Sequence, residues 1–220
     1  VSAHRIRNRA ITDTFEPGSA VKPLAVLGAL EFGTVTDQTV INTNPGWMRL
    51  GGSIVQDSRN YGELDLTEII KKSSNMGTSK LALSIPKEHF IDLYHNMGLV
   101  GDTGTNMLGE SSGIFRERRR WSDFELATLS FGYGLSVTTL QLARMYAILG
   151  NGGYKVPLSI LKDNEVFDNE LDNDRVITTD AAQSLVEMME HVVLDGGTGI
   201  KAKVPGYRVA GKTGTSRKAI

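Results

Sequence analysis

Cysteine is absent from the 220 residues. That excludes disulfides, thiol nucleophiles and zinc-thiolate sites, and it fits any redox compartment. Neither sign of charge is in excess: 24 basic side chains face 25 acidic ones, so the electrostatics point to no nucleic acid or other polyanion as partner. Long apolar runs are missing as well. The longest mostly apolar stretch, Leu24 to Leu30, falls far short of the roughly 20 residues a membrane helix needs. His4, His89, His95 and His191 show no metal-ligand spacing. Neither a His-dependent triad nor a Gly-x-Ser-x-Gly elbow occurs, which disfavours a lipase-like hydrolase. Internal repeats and low-complexity tracts are absent too. What remains, 40% hydrophobic and 22% charged, is the composition of an ordinary globular domain with a real core. Position 1 is not Met, no signal-peptide pattern follows, and the chain stops without punctuation at Arg217-Lys218-Ala219-Ile220. The expectation is a segment of a longer protein.

Helical periodicity dominates. Gly18 to Leu30 reads as a helix entered after Glu16-Pro17-Gly18, with Pro23 tolerable only near its first turn. Asp65 and Glu68 start a helix over Leu66 to Lys72, Ser73-Ser74-Asn75 interrupts it, and Met76 to Leu83 resumes the pattern. Pro86 opens a helix to Met97, stopped by Gly98. Ser122 with Glu125 and Thr138 with Gln141 are capping boxes for helices reaching about Ser130 and Leu149, and Asp180 to Val193 is the last long helix. Tyr207 to Thr215 alternates like a strand, whereas Tyr154 to Val176 reads as irregular with short extended pieces. Asp163 to Asp174 is expected to be a solvated acidic loop and Arg116 to Arg120 a charged surface turn.

A Ser-x-x-Lys pair on a helix sets a hydroxyl and an amine one turn apart on one face, a nucleophile with its own base. Three such pairs occur, where composition alone predicts about one. Ser84–Lys87 reads as punctuation before Pro86, and Ser159–Lys162 lies in an extended-looking stretch where the two side chains diverge. Only Ser19–Lys22 sits at a helix N-terminus, where free N–H groups favour developing negative charge. Of two Ser-x-Asn triplets, Ser58-Arg59-Asn60 lies in a polar turn. Ser73-Ser74-Asn75 instead breaks a helix pair at its middle, either to form a loop or because its side chains are used. Gly206 to Thr213 matches the phosphate-loop pattern. It lacks an apolar strand before it and a helix opening after it, so nucleotide binding is rejected. Read instead as Lys212-Thr213-Gly214-Thr215 on a strand, the segment offers a cation and hydroxyls beside exposed main chain, with Gly214 making room for a ligand. Those groups suit a peptide carboxylate.

Ser-x-x-Lys, Ser-x-Asn and Lys-Thr-Gly, in that order, resemble the signature of penicillin-binding proteins and serine β-lactamases. The likeness covers nearly the whole chain. Arg7-Asn8-Arg9-Ala10-Ile11-Thr12-Asp13-Thr14-Phe15-Glu16-Pro17-Gly18-Ser19 resembles the approach to the nucleophile in class B penicillin-binding proteins. Arg120-Trp121-Ser122-Asp123, Ser130-Phe131-Gly132-Tyr133-Gly134 and Gly206 to Thr215 point the same way, towards the division-specific septal transpeptidases of Gram-negative bacteria. The Glu-x-x-Leu-Asn element of class A β-lactamases is not found, and Tyr94-His95-Asn96, similar to a class C motif, falls on an amphipathic helix. The alternatives are a β-lactamase and a non-catalytic penicillin sensor.

This resemblance implies an α/β (α+β) transpeptidase fold, a five-stranded antiparallel sheet flanked by helices with an all-helical subdomain. Residues 1–220 would be a partial transpeptidase domain, mostly the helical part plus the Lys-Thr-Gly strand, lacking the strands before Val1 and after Ile220. Such a piece is expected to fold poorly and to be largely inactive alone. The resemblance also implies roles: Ser19 as nucleophile, Lys22 as general base, Ser73 as proton relay, and Asn75 as holder of the substrate amide. Lys212, Thr213, Gly214 and Thr215 would bind the carboxylate, and the backbone N–H groups of Ser19 and Thr215 would form the oxyanion hole. Lys22 must then be substantially neutral, which burial and the second cation, Lys212, would favour. The implied ligands are peptidoglycan stem peptides ending in D-Ala-D-Ala and β-lactams. The implied partners are divisome proteins including a membrane glycosyltransferase, at the inner membrane with the catalytic domain periplasmic. No cofactor or metal is implied.

Overall fold

Why the molecule is built around one helix is legible in Pro23–Glu31 (α2), where every residue from Pro23 to Ala29 is buried. A helix that is apolar all round has no face to give to water and becomes the centre of a core. The computed structural model, which describes residues 7–105, 107–155, 157–159 and 175–216, packs α2 against Asn75–Ser84 (α4), Lys87–Asn96 (α5) and Thr179–Glu190 (α8). Gly28 permits close approach, since a Cβ there would stand 3.0 Å from Ile85 and 3.1 Å from Leu93. Leu66–Lys72 (α3) lies on α8, Asp123–Ser130 (α6) on α4, and Thr139–Gly150 (α7) on α8. Arg9–Thr12 (α1) is a single turn beside α7.

The caps act as the sequence says. Ser122 and Glu125 bond reciprocally at the start of α6, and Thr138 and Gln141 do so at the start of α7. Asp65 accepts from the N–H of Glu68 at 2.7 Å. At the head of α8 the side chain of Thr178 accepts from Ala181, while its own N–H is held at 2.7 Å by Glu31 at the end of α2.

Two expectations are corrected. Gly18 to Leu30 is not one helix: Gly18–Val21 is a 3-10 turn, and the α-helix begins only at Pro23. Gly18 sits at φ +54°, outside the helical region, and Pro23 is at home in the first helical position because the N–H it lacks would have no partner there. Tyr207 to Thr215 is not a strand. Its one backbone bond to another element runs from the N–H of Gly211 to the carbonyl of Met189, and among the described residues no strand lies beside it to complete a ladder. Alternating side chains do not make a strand without a partner.

Strands appear where none was expected. Thr14–Phe15 (β1), Leu135–Thr138 (β7) and Ile114–Phe115 (β6) form a three-stranded antiparallel sheet in the order β1-β7-β6. Phe15 faces Val137, and Phe115 faces Leu135. Val40–Asn42 (β2) pairs with Glu63–Asp65 (β5). Trp47–Leu50 (β3) and Ser53–Gln56 (β4) form a hairpin turned by Gly51-Gly52, with Trp47 opposite Gln56. The acidic run Asp163 to Asp174, Lys162 of the third Ser-x-x-Lys pair and His4 lie outside the described residues. Of the stretch Tyr154 to Val176, the described ends meet in an isolated bridge between Tyr154 and Arg175.

Candidate active site

Three of the singled-out segments converge. Ser73 ends α3 in the left-handed conformation, φ +59° and ψ +45°, a place where a side chain other than Gly is strained. The chain turns there and restarts as α4 after Ser74, whose hydroxyl caps the N–H of Gly77 at 2.8 Å. This turn brings the Ser73 hydroxyl over the start of α2. Lys22 Nζ reaches it at 3.0 Å and also donates to the Ser73 carbonyl. Lys212 Nζ meets the same hydroxyl from the other side at 2.8 Å and holds the Thr213 carbonyl at 3.0 Å. Two amines thus flank one oxygen.

The electrostatics follow from that crowding. Lys22 is 1% exposed. Burial, then the neighbouring Lys212, lower its pKa to about 7, with Asp57 acting in the opposite direction. Burial lowers Lys212 to about 8. An amine that is half neutral near pH 7 can accept a proton; an ordinary lysine cannot. The Ser19 hydroxyl makes no hydrogen bond among the described residues, so in this state Lys22 is held by Ser73 rather than by Ser19.

Glycines set how closely the segments meet. A Cβ on Gly18 would collide with the Thr215 carbonyl, so the turn carrying Ser19 lies against the 213–216 backbone. Gly214 serves the same contact. A Cβ there would stand 3.2 Å from the Ala20 Cβ and 3.3 Å from the Pro17 carbonyl, so the room it leaves is taken by the turn carrying Ser19 and not by a ligand. Thr213 donates to Thr198 at 2.9 Å, which ties the segment to the loop after α8. Asn75 donates through Nδ2 to the Gln56 carbonyl at 2.9 Å. Thr215 is exposed, with its carbonyl against Gly18.

The other pairs lie elsewhere. Ser84 bonds Leu81 within α4, and Lys87 pairs with Asp123 at 3.2 Å. Tyr94 is buried in α5 with its hydroxyl on the Leu129 carbonyl. Among the described residues no helix follows Thr213, so the phosphate-loop geometry is not formed there.

Three supporting residues carried no motif. Asp57, just past β4, accepts from the Ser74 hydroxyl at 2.7 Å and from the N–H groups of Asn75 and Met76. Tyr146 on α7 donates to the Ala20 carbonyl at 2.9 Å, next to Ser19. Gly132 accepts from the N–H of Gly18 at 3.1 Å. Gly132 did stand within the segments that carried the resemblance, but nothing in the sequence assigns it to this contact.

Comparison with known proteins identifies the family. A family model described as the penicillin binding protein transpeptidase domain matches residues 2–220. The peptidoglycan D,D-transpeptidase FtsI of Escherichia coli K12 is 48% identical over 213 residues, 97% of this chain and 35% of that protein. A probable peptidoglycan D,D-transpeptidase, PenA of Neisseria flavescens, is 43% identical over 97% of this chain and 52% of that protein. The chain therefore spans about a third to a half of the length of these relatives. The transpeptidase domain of Burkholderia pseudomallei penicillin-binding protein 3 superposes with a TM-score of 0.91 at 38% identity, covering 97% of this chain and 64% of that one. A family model matched nearly end to end, together with a shared fold at 38% identity, places this chain in the transpeptidase domain family of the penicillin-binding proteins.

Proposed function

We propose that this chain carries the catalytic centre of a serine D,D-transpeptidase that cross-links peptidoglycan stem peptides during septal wall synthesis. The observation that carries the reading is the buried Lys22 amine, held with Lys212 on the single hydroxyl of Ser73.

In this mechanism Ser19 Oγ attacks the carbonyl between the two terminal D-alanines of a stem peptide, giving up its proton to the neutral Lys22 amine. The tetrahedral oxyanion sits between the backbone N–H groups of Ser19 and Thr215. Ser73 passes a proton from Lys22 to the departing D-Ala nitrogen, and the acyl group stays on Ser19. An amine of a neighbouring stem then attacks that ester; its proton returns through the same groups and the cross-link forms. Asn75 holds the substrate amide, while Lys212, Thr213 and Thr215 grip the terminal carboxylate, with Gly214 keeping that segment against the nucleophile turn. β-Lactams acylate Ser19 by the same first step. Carboxypeptidase activity, with water as acceptor, belongs to the same chemistry. Divisome proteins including a membrane glycosyltransferase are the proposed partners, at the inner membrane with the catalytic domain in the periplasm.

The test is mass spectrometry of the intact protein after exposure to penicillin, paired with stem-peptide turnover. The expected result is a long-lived adduct on the peptide bearing Ser19 and cross-linked product with an amine acceptor. Rapid repeated hydrolysis of penicillin would instead mark a β-lactamase, and labelling without any stem-peptide reaction a sensor.

Lys212→Ala is expected to do two things at once. Loss of the cation weakens recognition of carboxylate-bearing β-lactams by about 10- to 100-fold, the range for a charged hydrogen-bonding partner. It also removes a like charge that depresses Lys22, so the acid limb of the acylation profile moves to higher pH. Unchanged affinity and an unmoved limb would refute both roles.

A further inference from the structure

We infer that Asp57 is a positioning residue for acylation: its carboxylate fixes the turn that presents the Ser73 hydroxyl to both lysines. The inference rests on the transpeptidase reading above. The Ser73 backbone is left-handed and gains nothing from that strain itself, so something outside the turn must hold it. On its C-terminal side that holder is one carboxylate. Oδ1 takes the N–H groups of Asn75 and Met76 at the free N-terminus of α4, and Oδ2 takes the Ser74 hydroxyl. Negative charge at a helix N-terminus is favourable in its own right. Asp57 is itself anchored, its N–H bonded to the Gly46 carbonyl at 2.9 Å at the base of the β3–β4 hairpin. The adjacent Gln56 carbonyl takes Asn75 Nδ2. One end of a hairpin therefore sets the positions of Ser73 and Asn75 together.

The same carboxylate acts on Lys22 without touching it. The charged groups that face Lys22 are Lys212 from the C-terminal segment, which favours the neutral amine, and Asp57, which opposes it; the α3–α4 junction contributes only the neutral groups of Ser73. Removing the negative charge while keeping the shape lowers the pKa of Lys22 further. The neutral amine then persists to lower pH, and the acid limb of acylation moves down.

The experiment is stopped-flow acylation by a fluorescent penicillin across pH 5 to 9, on the intact protein, with the labelled end-point fixing the active fraction. Asp57→Asn keeps acceptors for Asn75 and Met76 but loses the charge. It is expected to shift the acid limb to lower pH with a labelled fraction near that of wild type. Asp57→Ala removes the clamp and is expected to lower the acylation rate constant of the labelled fraction by about 100-fold, the cost of displacing a reacting group by about 1 Å. Asp57→Glu is expected to recover part of that loss. A merely structural residue would change the labelled fraction and leave the limb and the rate constant of the folded molecules alone, and that result overturns the inference. If Asp57→Ala fails to fold, Asp57→Asn decides by itself: an unmoved limb overturns the inference, a lowered one upholds it. If wild type is never acylated, the transpeptidase reading fails, an outcome distinct from wild-type labelling with indifferent variants.

Discussion

Lys22→Arg is expected to abolish acylation, with a fall of at least about 1,000-fold in the rate constant, within the range for loss of a general base. The charge is kept, but a guanidinium stays protonated at every accessible pH and cannot take the Ser19 proton. In wild type the rate should rise through about pH 7 as the Lys22 amine loses its proton; in the variant that limb should vanish, leaving a flat floor. The direction follows from the cause. Desolvation and Lys212 disfavour the ammonium, so the active neutral form is populated above the lowered pKa. Measuring penicillin labelling of the intact protein from pH 5 to 9, with thermal unfolding as a control for the bulkier side chain, checks the claim. Ordinary labelling by a folded variant would remove Lys22 from the role of base.

Gly132→Ala carries the second large expected effect. Gly132 lies at φ +87°, and a Cβ there would fall on the Gly18 backbone itself, where no flexible side chain can move aside. Gly134 makes the natural control: its φ is +86°, yet a Cβ there meets nothing within 4 Å. Gly134→Ala should therefore cost only the conformational penalty, about 1 kcal/mol. Gly132→Ala adds overpacking against the turn carrying Ser19, for a total of about 3 kcal/mol. The turn must also shift, and Ser19 with it, so acylation should fall about 100-fold. Urea unfolding and penicillin labelling of the two variants side by side give the comparison. Equal behaviour would show that residues 18 and 132 do not abut.

Both predictions turn on contacts between distant segments, and the sequence was readable only up to that point. Caps are local: Ser122 meets Glu125 and Thr138 meets Gln141 within one turn, so spacing alone located the starts of α6 and α7. The break between α3 and α4 was legible for the same reason. The hairpin of β3 and β4 was not, although Gly51-Gly52 between two four-residue strands is a turn signal that could have found it. β1 and β6 are two residues long and exist only because β7 lies between them.

The chain itself determined which chemistry is on offer: no thiol, no metal-ligand spacing among the histidines, a Ser-x-x-Lys pair at a helix start, a Ser-Ser-Asn break and a Lys-Thr-Gly segment. Folding decided what those groups do to each other. A lysine in sequence is a cation with an ordinary pKa; Lys22 is shifted towards its neutral amine because it is 1% exposed and Lys212 arrives from 190 residues away in the chain. Asp57 reads as one more acidic residue in a polar loop, and only the packing of the hairpin against α4 turns its carboxylate on three donors of the Ser73–Met76 turn. Desolvation and hydrogen-bond direction are properties of surroundings. No short stretch of sequence contains them.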